Sequence, residues 1–364
     1  MVSQEKIMSF PHMGNYHIAI EFLIRHVLEN IQVLSPPPTT KKTLELGSKY
    51  SPDFVCVPFK YNLGNYIEAL EKGANILVQS GGGCRFGYYG EIQEQILRDL
   101  GYEFEFISII DNKNVNPVAF FNRFKRLNPK LSFVRFAYYF QLTFKMIESM
   151  DSIDATIRAN IGFEVQEGSF ARLQKEFLKE LPAVEGFREL DKIYRKYDAL
   201  FRQLEVNKPV NALRVGIVGE LYTLMEPFSS CFIEKELAKK GIQVTRFITV
   251  SYLLRHHPKS SDLLKWAGKY LDYEIGADGT DSVARARMLA EAGYDGVIHI
   301  KPFGCTPEVN SMPMMQNISS DYKMPILYFS FDAQTSETGV HTRLEAFHDM
   351  LLMRREKEEW QNVI

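Results

Sequence analysis

Four times along this chain a stretch with helically spaced apolar residues stops at a glycine, and a short apolar run follows almost at once. Gly73 is followed by the run 76–79, Gly101 by 104–109, Gly241 by 243–248 and Gly293 by 296–300. Glycine adopts the left-handed conformation that ends a helix. Short apolar runs between such stops read as strands buried on both faces. Strands that alternate with helices must be joined by crossovers, which makes the sheet mostly parallel and the fold class α/β.

The same reading predicts strands over 6–10, 213–220 and 325–331 and a strand end over 54–57. Helices are expected over 16–29, 43–49, 61–73, 90–100, 230–240, 282–292 and 342–357. Residues 115–208 differ, since aromatic and charged residues recur there at helical spacing, as in Phe133, Phe136, Ala137 and Phe140. The chain therefore divides into an N-terminal α/β domain (1–114), a helical region (115–210) and a C-terminal α/β domain (211–364). At 364 residues there is enough chain for a core in each.

A net charge of −2 gives no electrostatic reason for a nucleic-acid or anionic-lipid partner. No apolar stretch approaches the roughly 20 residues that span a bilayer, and the first residues lack a signal-peptide pattern. The expected location is the cytoplasm, where thiols stay reduced. The four cysteines are then packed, metal-binding or catalytic rather than disulfide-bonded.

Three of them share a setting: each follows a short apolar run in a turn rich in Gly or Pro. Cys56 lies in Asp53-Phe54-Val55-Cys56-Val57-Pro58, Cys84 in Gly81-Gly82-Gly83-Cys84-Arg85-Phe86-Gly87, and Cys305 in Pro302-Phe303-Gly304-Cys305-Thr306-Pro307. Ligands of α/β sheets gather at the carboxyl ends of strands, so three thiols there suit a soft metal or an iron–sulfur cluster. Their spacing matches no zinc-finger or ferredoxin pattern, and three separately packed thiols are the alternative. Cys231 falls at an expected helix start, where it is either a low-pKa thiol or a packed one. Gly82 and Gly83 form an anion nest or a plain tight turn. Glu220 and Glu308, next to strand ends, are candidate proton-handling groups. His12 and His299, like Glu308, could serve as proton donors there, with a plain hydrogen-bonding role as the alternative.

Several segments resemble a known family. Ser9-Phe10-Pro11-His12-Met13-Gly14-Asn15, the stretch 40–47, Cys56-Val57-Pro58-Phe59-Lys60, Gly83-Cys84-Arg85-Phe86-Gly87-Tyr88-Tyr89, Pro302-Phe303-Gly304-Cys305-Thr306-Pro307-Glu308 and the stretch 337–347 carry the likeness. The chain is similar, nearly end to end, to the 2-hydroxyglutaryl-CoA dehydratase D-component superfamily, which includes benzoyl-CoA reductase subunits and double-cubane-cluster proteins. The nearest branch stands alone or is fused to a CoA-substrate-specific enzyme activase. Related sequences often carry a further cysteine in the glycine loop, where this chain has Gly81-Gly82-Gly83.

The resemblance implies flavodoxin-like, Rossmann-like parallel-sheet domains. It also implies a [4Fe–4S] cluster on Cys56, Cys84 and Cys305, with Lys60, Arg85 and the backbone at Gly82 and Gly83 tuning it. Electrons would come from an ATP-hydrolysing activase that carries its own cluster. The chain would be an anaerobic electron-transfer protein, the reductase or dehydratase component for a small substrate such as an acyl-CoA, in a homodimer or heterodimer. Two other functions fit the residues: a non-redox or zinc-binding scaffold that docks a partner, and a transferase with Cys84 as nucleophile.

Overall fold

The computed structural model describes residues 5–79, 88–109 and 117–363. In chain order the first half runs β1 (Lys6–Ser9), α1 (His17–Val27), β2 (Ile31–Val33), α2 (Lys41–Tyr50), α3 (Val57–Glu71), β3 (Ile76–Gln79), α4 (Tyr89–Asp99), β4 (Glu105–Ser108), α5 (Pro117–Leu127), α6 (Phe133–Asn160), α7 (Ser169–Glu180) and α8 (Phe187–Gln203). The second half runs β5 (Arg214–Gly219), α9 (Leu221–Met225), α10 (Ile233–Lys239), β6 (Gln243–Arg246), α11 (Ser260–Ala267), α12 (Gly279–Glu291), β7 (Gly296–Pro302), α13 (Thr306–Tyr322), β8 (Ile326–Phe331) and α14 (Glu337–Val363). No described helix is long and apolar enough to cross a membrane.

The chain forms two compact units, Met1–Met150 with Glu176–Lys196, and Asp151–Lys175 with Tyr197–Ile364. The helical stretch is thus shared between them. Among its described residues, the only pairing of extended backbone is an isolated bridge between Glu164 and Val206.

Each unit contains one four-stranded sheet, ordered β2-β1-β3-β4 in the first and β6-β5-β7-β8 in the second. Every described pairing within the two sheets is parallel. The fold is α/β with two flavodoxin-like parallel sheets. In both, the first strand in the chain lies between the second and the third, so the winding reverses between β1 and β3 and between β5 and β7. Ligands of doubly wound sheets bind at that reversal, outside the carboxyl ends of the strands.

Helices on both faces explain why the strands read as continuous apolar runs. In the first unit Met8, Ile76 and Val78 pack with Ile24, Val27, Phe121, Phe124 and Phe136 on one side. Leu77 turns to the other side, with Phe59, Leu63, Tyr66, Ile67 and Leu97. In the second unit Val218 and Val297 join Leu263, Val283, Leu289, Met315 and Ile318. Under α3 the backbones of α2 and α3 nearly touch: a Cβ built on Gly47 would lie 1.7 Å from the Lys60 carbonyl oxygen, and one on Gly64 1.9 Å from that of Thr43.

Three local expectations need correction. Residues 54–57 form no strand; Cys56 caps α3, and Val57 is already helical. Pro58 favours that outcome, because a proline in the first helical turn gives up no intrahelical hydrogen bond. Residues 31–33, for which no strand was expected, form β2 against β1. At 230–240 the helix starts late: a turn at Pro227–Ser230 is followed by Cys231 at φ +50° and Phe232 at φ +54°, and α10 begins at Ile233.

Candidate functional site

Cys56 and Cys305 occupy the same local position. Cys56 is the N-cap of α3 with Pro58 at the second helical residue, and Cys305 is the N-cap of α13 with Pro307 at the second. Each backbone carbonyl accepts a first-turn N–H, from Phe59 at 3.1 Å and from Val309 at 2.9 Å. Neither sulfur caps its own helix. A sulfur held at the start of a helix meets the positive end of the dipole, which favours thiolate. Both thiols are half-buried.

The Cys56 sulfur meets the Tyr89 hydroxyl at 2.8 Å. Tyr89 is the first residue of α4, five residues after Cys84 in the sequence. Cys84 itself, with Gly82, Gly83 and Arg85, lies outside the described residues. In sequence Cys84 lies between Gln79, the end of β3, and Tyr89, whose hydroxyl meets the Cys56 sulfur. Lys60 lies one turn along α3 from Cys56, half-buried. Among the described residues, no three His, Cys, Asp or Glu side chains gather as a metal site. Cys56 and Cys305 belong to different units.

The carboxyl edge of the second sheet holds a cluster of buried polar groups beside Cys305. Glu308, in the first turn of α13, is 1% exposed and His299 on β7 is fully buried. His299 Nε2 and Glu308 Oε2 are 2.6 Å apart, and the Ser282 hydroxyl on α12 donates to Glu308 Oε1 at 3.2 Å. The Ser311 hydroxyl donates to the Glu308 carbonyl at 2.8 Å. Glu308 thus ties β7, α12 and α13 together.

Glu220 is the N-cap of α9. It accepts from the backbone N–H groups of Tyr222 and Thr223 at 3.0 and 2.9 Å and from the Thr223 hydroxyl at 2.6 Å. Burial raises its pKa, the Thr223 and Tyr222 hydrogen bonds oppose the shift, and the Glu308 charge adds to it. Capping uses both carboxylate oxygens, so the group flagged for proton handling is engaged with its own helix.

Asp278, the N-cap position of α12, accepts from the Leu221 N–H at 3.1 Å. Burial, and then the charges of Glu220 and Glu308, push its pKa well above the ordinary carboxylate range. Nothing in the local sequence but the turn Gly276-Ala277-Asp278-Gly279 marks it. Lys301, near the end of β7, is 4% exposed. Burial lowers its pKa, against the charges of Cys305 and Glu308. Both groups were missed in sequence because only the folded sheet brings them to one edge. Cys231 is no activated thiol: burial and the Glu337 charge raise its pKa to about 11.

The Asp278 shift fixes a sign. In the window between the unfolded pKa, about 3.9, and the higher folded one, the native state binds the extra proton, so stability falls as pH rises. Asp278→Asn keeps an acceptor for the Leu221 N–H and removes that penalty. It is expected to raise the melting temperature at pH 7 and to leave it unchanged at pH 3. Thermal melts across that range check this; an equal effect at both ends contradicts it.

Neither the known protein-family models nor the curated proteins include a match to this chain.

Proposed function

We propose that the chain is an iron–sulfur protein that accepts low-potential electrons from an ATP-hydrolysing activase and serves as the reductase or dehydratase component for a small substrate such as an acyl-CoA. The observation that carries this reading is the 2.8 Å contact of the Cys56 sulfur with Tyr89, which follows Cys84 by five residues in the sequence. Two thiols presented at Cys-X-Pro helix starts support it further. The activase and the substrate class rest on the resemblance of the segments around Cys56, Cys84 and Cys305.

The donor set suits such a group: sulfur ligands are soft, and helix starts offset the negative charge of thiolates. Cys56, Cys84 and Cys305 would hold the cluster, with one iron left without a thiolate. When bound, it supplies one-electron transfer or a Lewis-acidic site. The Tyr89 hydroxyl orients the Cys56 sulfur, and Lys60 places a cation on the same face of α3. Glu308 holds His299 and Ser282 in one fixed arrangement beneath the Cys305 turn, so the turn is backed by a rigid polar floor.

Protein purified without oxygen is expected to be brown, with roughly four irons and four sulfides per chain and a paramagnetic resonance signal on reduction. A colourless, iron-free anaerobic preparation overturns the reading. Stoichiometric zinc without visible absorbance would point to the scaffold instead.

A further inference from the structure

Lys301 is a buried cation without a partner. The residue is 4% exposed, and no hydrogen bond or ion pair to its amine is seen among the described residues. Successive strand residues point to opposite faces, so Lys301 shares the face of His299, two residues earlier on β7. That face is covered by the start of α13, because His299 reaches Glu308 at 2.6 Å. Cys305 is the N-cap of the same helix, three residues before Glu308. Glu308 is already occupied by His299, Ser282 and Ser311.

A cation on a largely buried side chain is stabilised by an anion placed beside it. Cys305 follows Lys301 by four residues, across the short turn that joins β7 to α13. We infer that Lys301 is the counter-charge of the anionic centre that Cys305 helps to hold, and that it makes this centre easier to reduce. This rests on the iron–sulfur reading above. Lys301 acts through the field at the centre, as a positioning residue rather than a catalytic one. A fixed positive charge favours the more negative, reduced state, and in a buried setting the effect is weakly screened.

The test is a redox titration of the anaerobic protein, followed by paramagnetic resonance. Iron content and far-UV circular dichroism are recorded alongside. At the potential where half of the wild-type centre is reduced, Lys301→Met is expected to show about a tenfold lower ratio of reduced to oxidised centre. For one electron that is a potential about 59 mV more negative. Lys301→Arg should stay within about threefold of wild type, a range far below one unit of charge removed from a buried site. Should Lys301→Met fail to fold, Lys301→Gln takes its place with the same expected loss. Loss of iron from a folded Lys301→Met but not from Lys301→Arg also supports the inference, since charge then decides retention. A neutral variant that keeps the wild-type ratio overturns it, as does iron loss in the neutral and Arg variants alike. In those two cases the iron–sulfur reading stands. Iron-free wild-type protein overturns both together.

Discussion

Gly47→Ala and Gly64→Ala should each destabilise the protein by about 3 kcal/mol or more, the upper range for overpacking. Helix propensity alone predicts the opposite sign, since alanine is favoured over glycine in a helix interior by about 1 kcal/mol. The contact decides the matter. A Cβ on Gly47 would sit 1.7 Å from the Lys60 oxygen, and one on Gly64 1.9 Å from the Thr43 oxygen. Both obstacles are backbone atoms and cannot swing aside as a flexible side chain would. The helices must separate, which breaks the buried bond from the Thr43 hydroxyl to Glu68 at 2.6 Å. Separation also loosens Phe59 and Leu63 in the core beneath. Urea unfolding measures this directly, and a loss under about 1 kcal/mol, an ordinary substitution effect, would show that the pair has room. Because the two glycines face one interface, the double variant should cost less than the sum.

Cys56→Ser, Cys84→Ser and Cys305→Ser are each expected to bring iron from roughly four per chain to below one, whereas Cys231→Ser keeps it. Serine is close to cysteine in size, and its hydroxyl can still meet Tyr89, so the fold should survive in each case. The pattern across the four variants discriminates among functions. Iron that persists in Cys56→Ser or Cys305→Ser removes the shared cluster. Loss of activity confined to Cys84→Ser in iron-free protein favours a thiol nucleophile. Cys231 is the control because burial and Glu337 keep it protonated at ordinary pH.

Much of the architecture was legible because glycine punctuates it. Gly73, Gly101, Gly241 and Gly293 all have positive φ and stand where helices were expected to stop. The run at 76–79 is β3 as expected, and 296–300 is β7, which continues to Pro302. β2 was hidden because a three-residue edge strand next to Ser35-Pro36-Pro37-Pro38 carries too little periodicity to register. The run at 54–57 misled because apolar residues before a proline look alike whether they end a strand or begin a helix. The carboxyl cluster was legible only in part. Glu220, His299 and Glu308 stand out next to strand ends, whereas Asp278 and Lys301 gain their meaning from neighbours distant in sequence.

The two sheets share a winding order, and this lets the halves be compared position by position. The helix that leads into the third strand is α3 in one half and α12 in the other, and its N-cap is Cys56 in the first and Asp278 in the second. In sequence, the segment after that third strand carries Cys84 in one half and Cys305 in the other. The later position carries sulfur in both halves, while the earlier cap is a soft donor in one and a hard donor in the other. Asp278→Cys would give both halves a sulfur at each of these two positions.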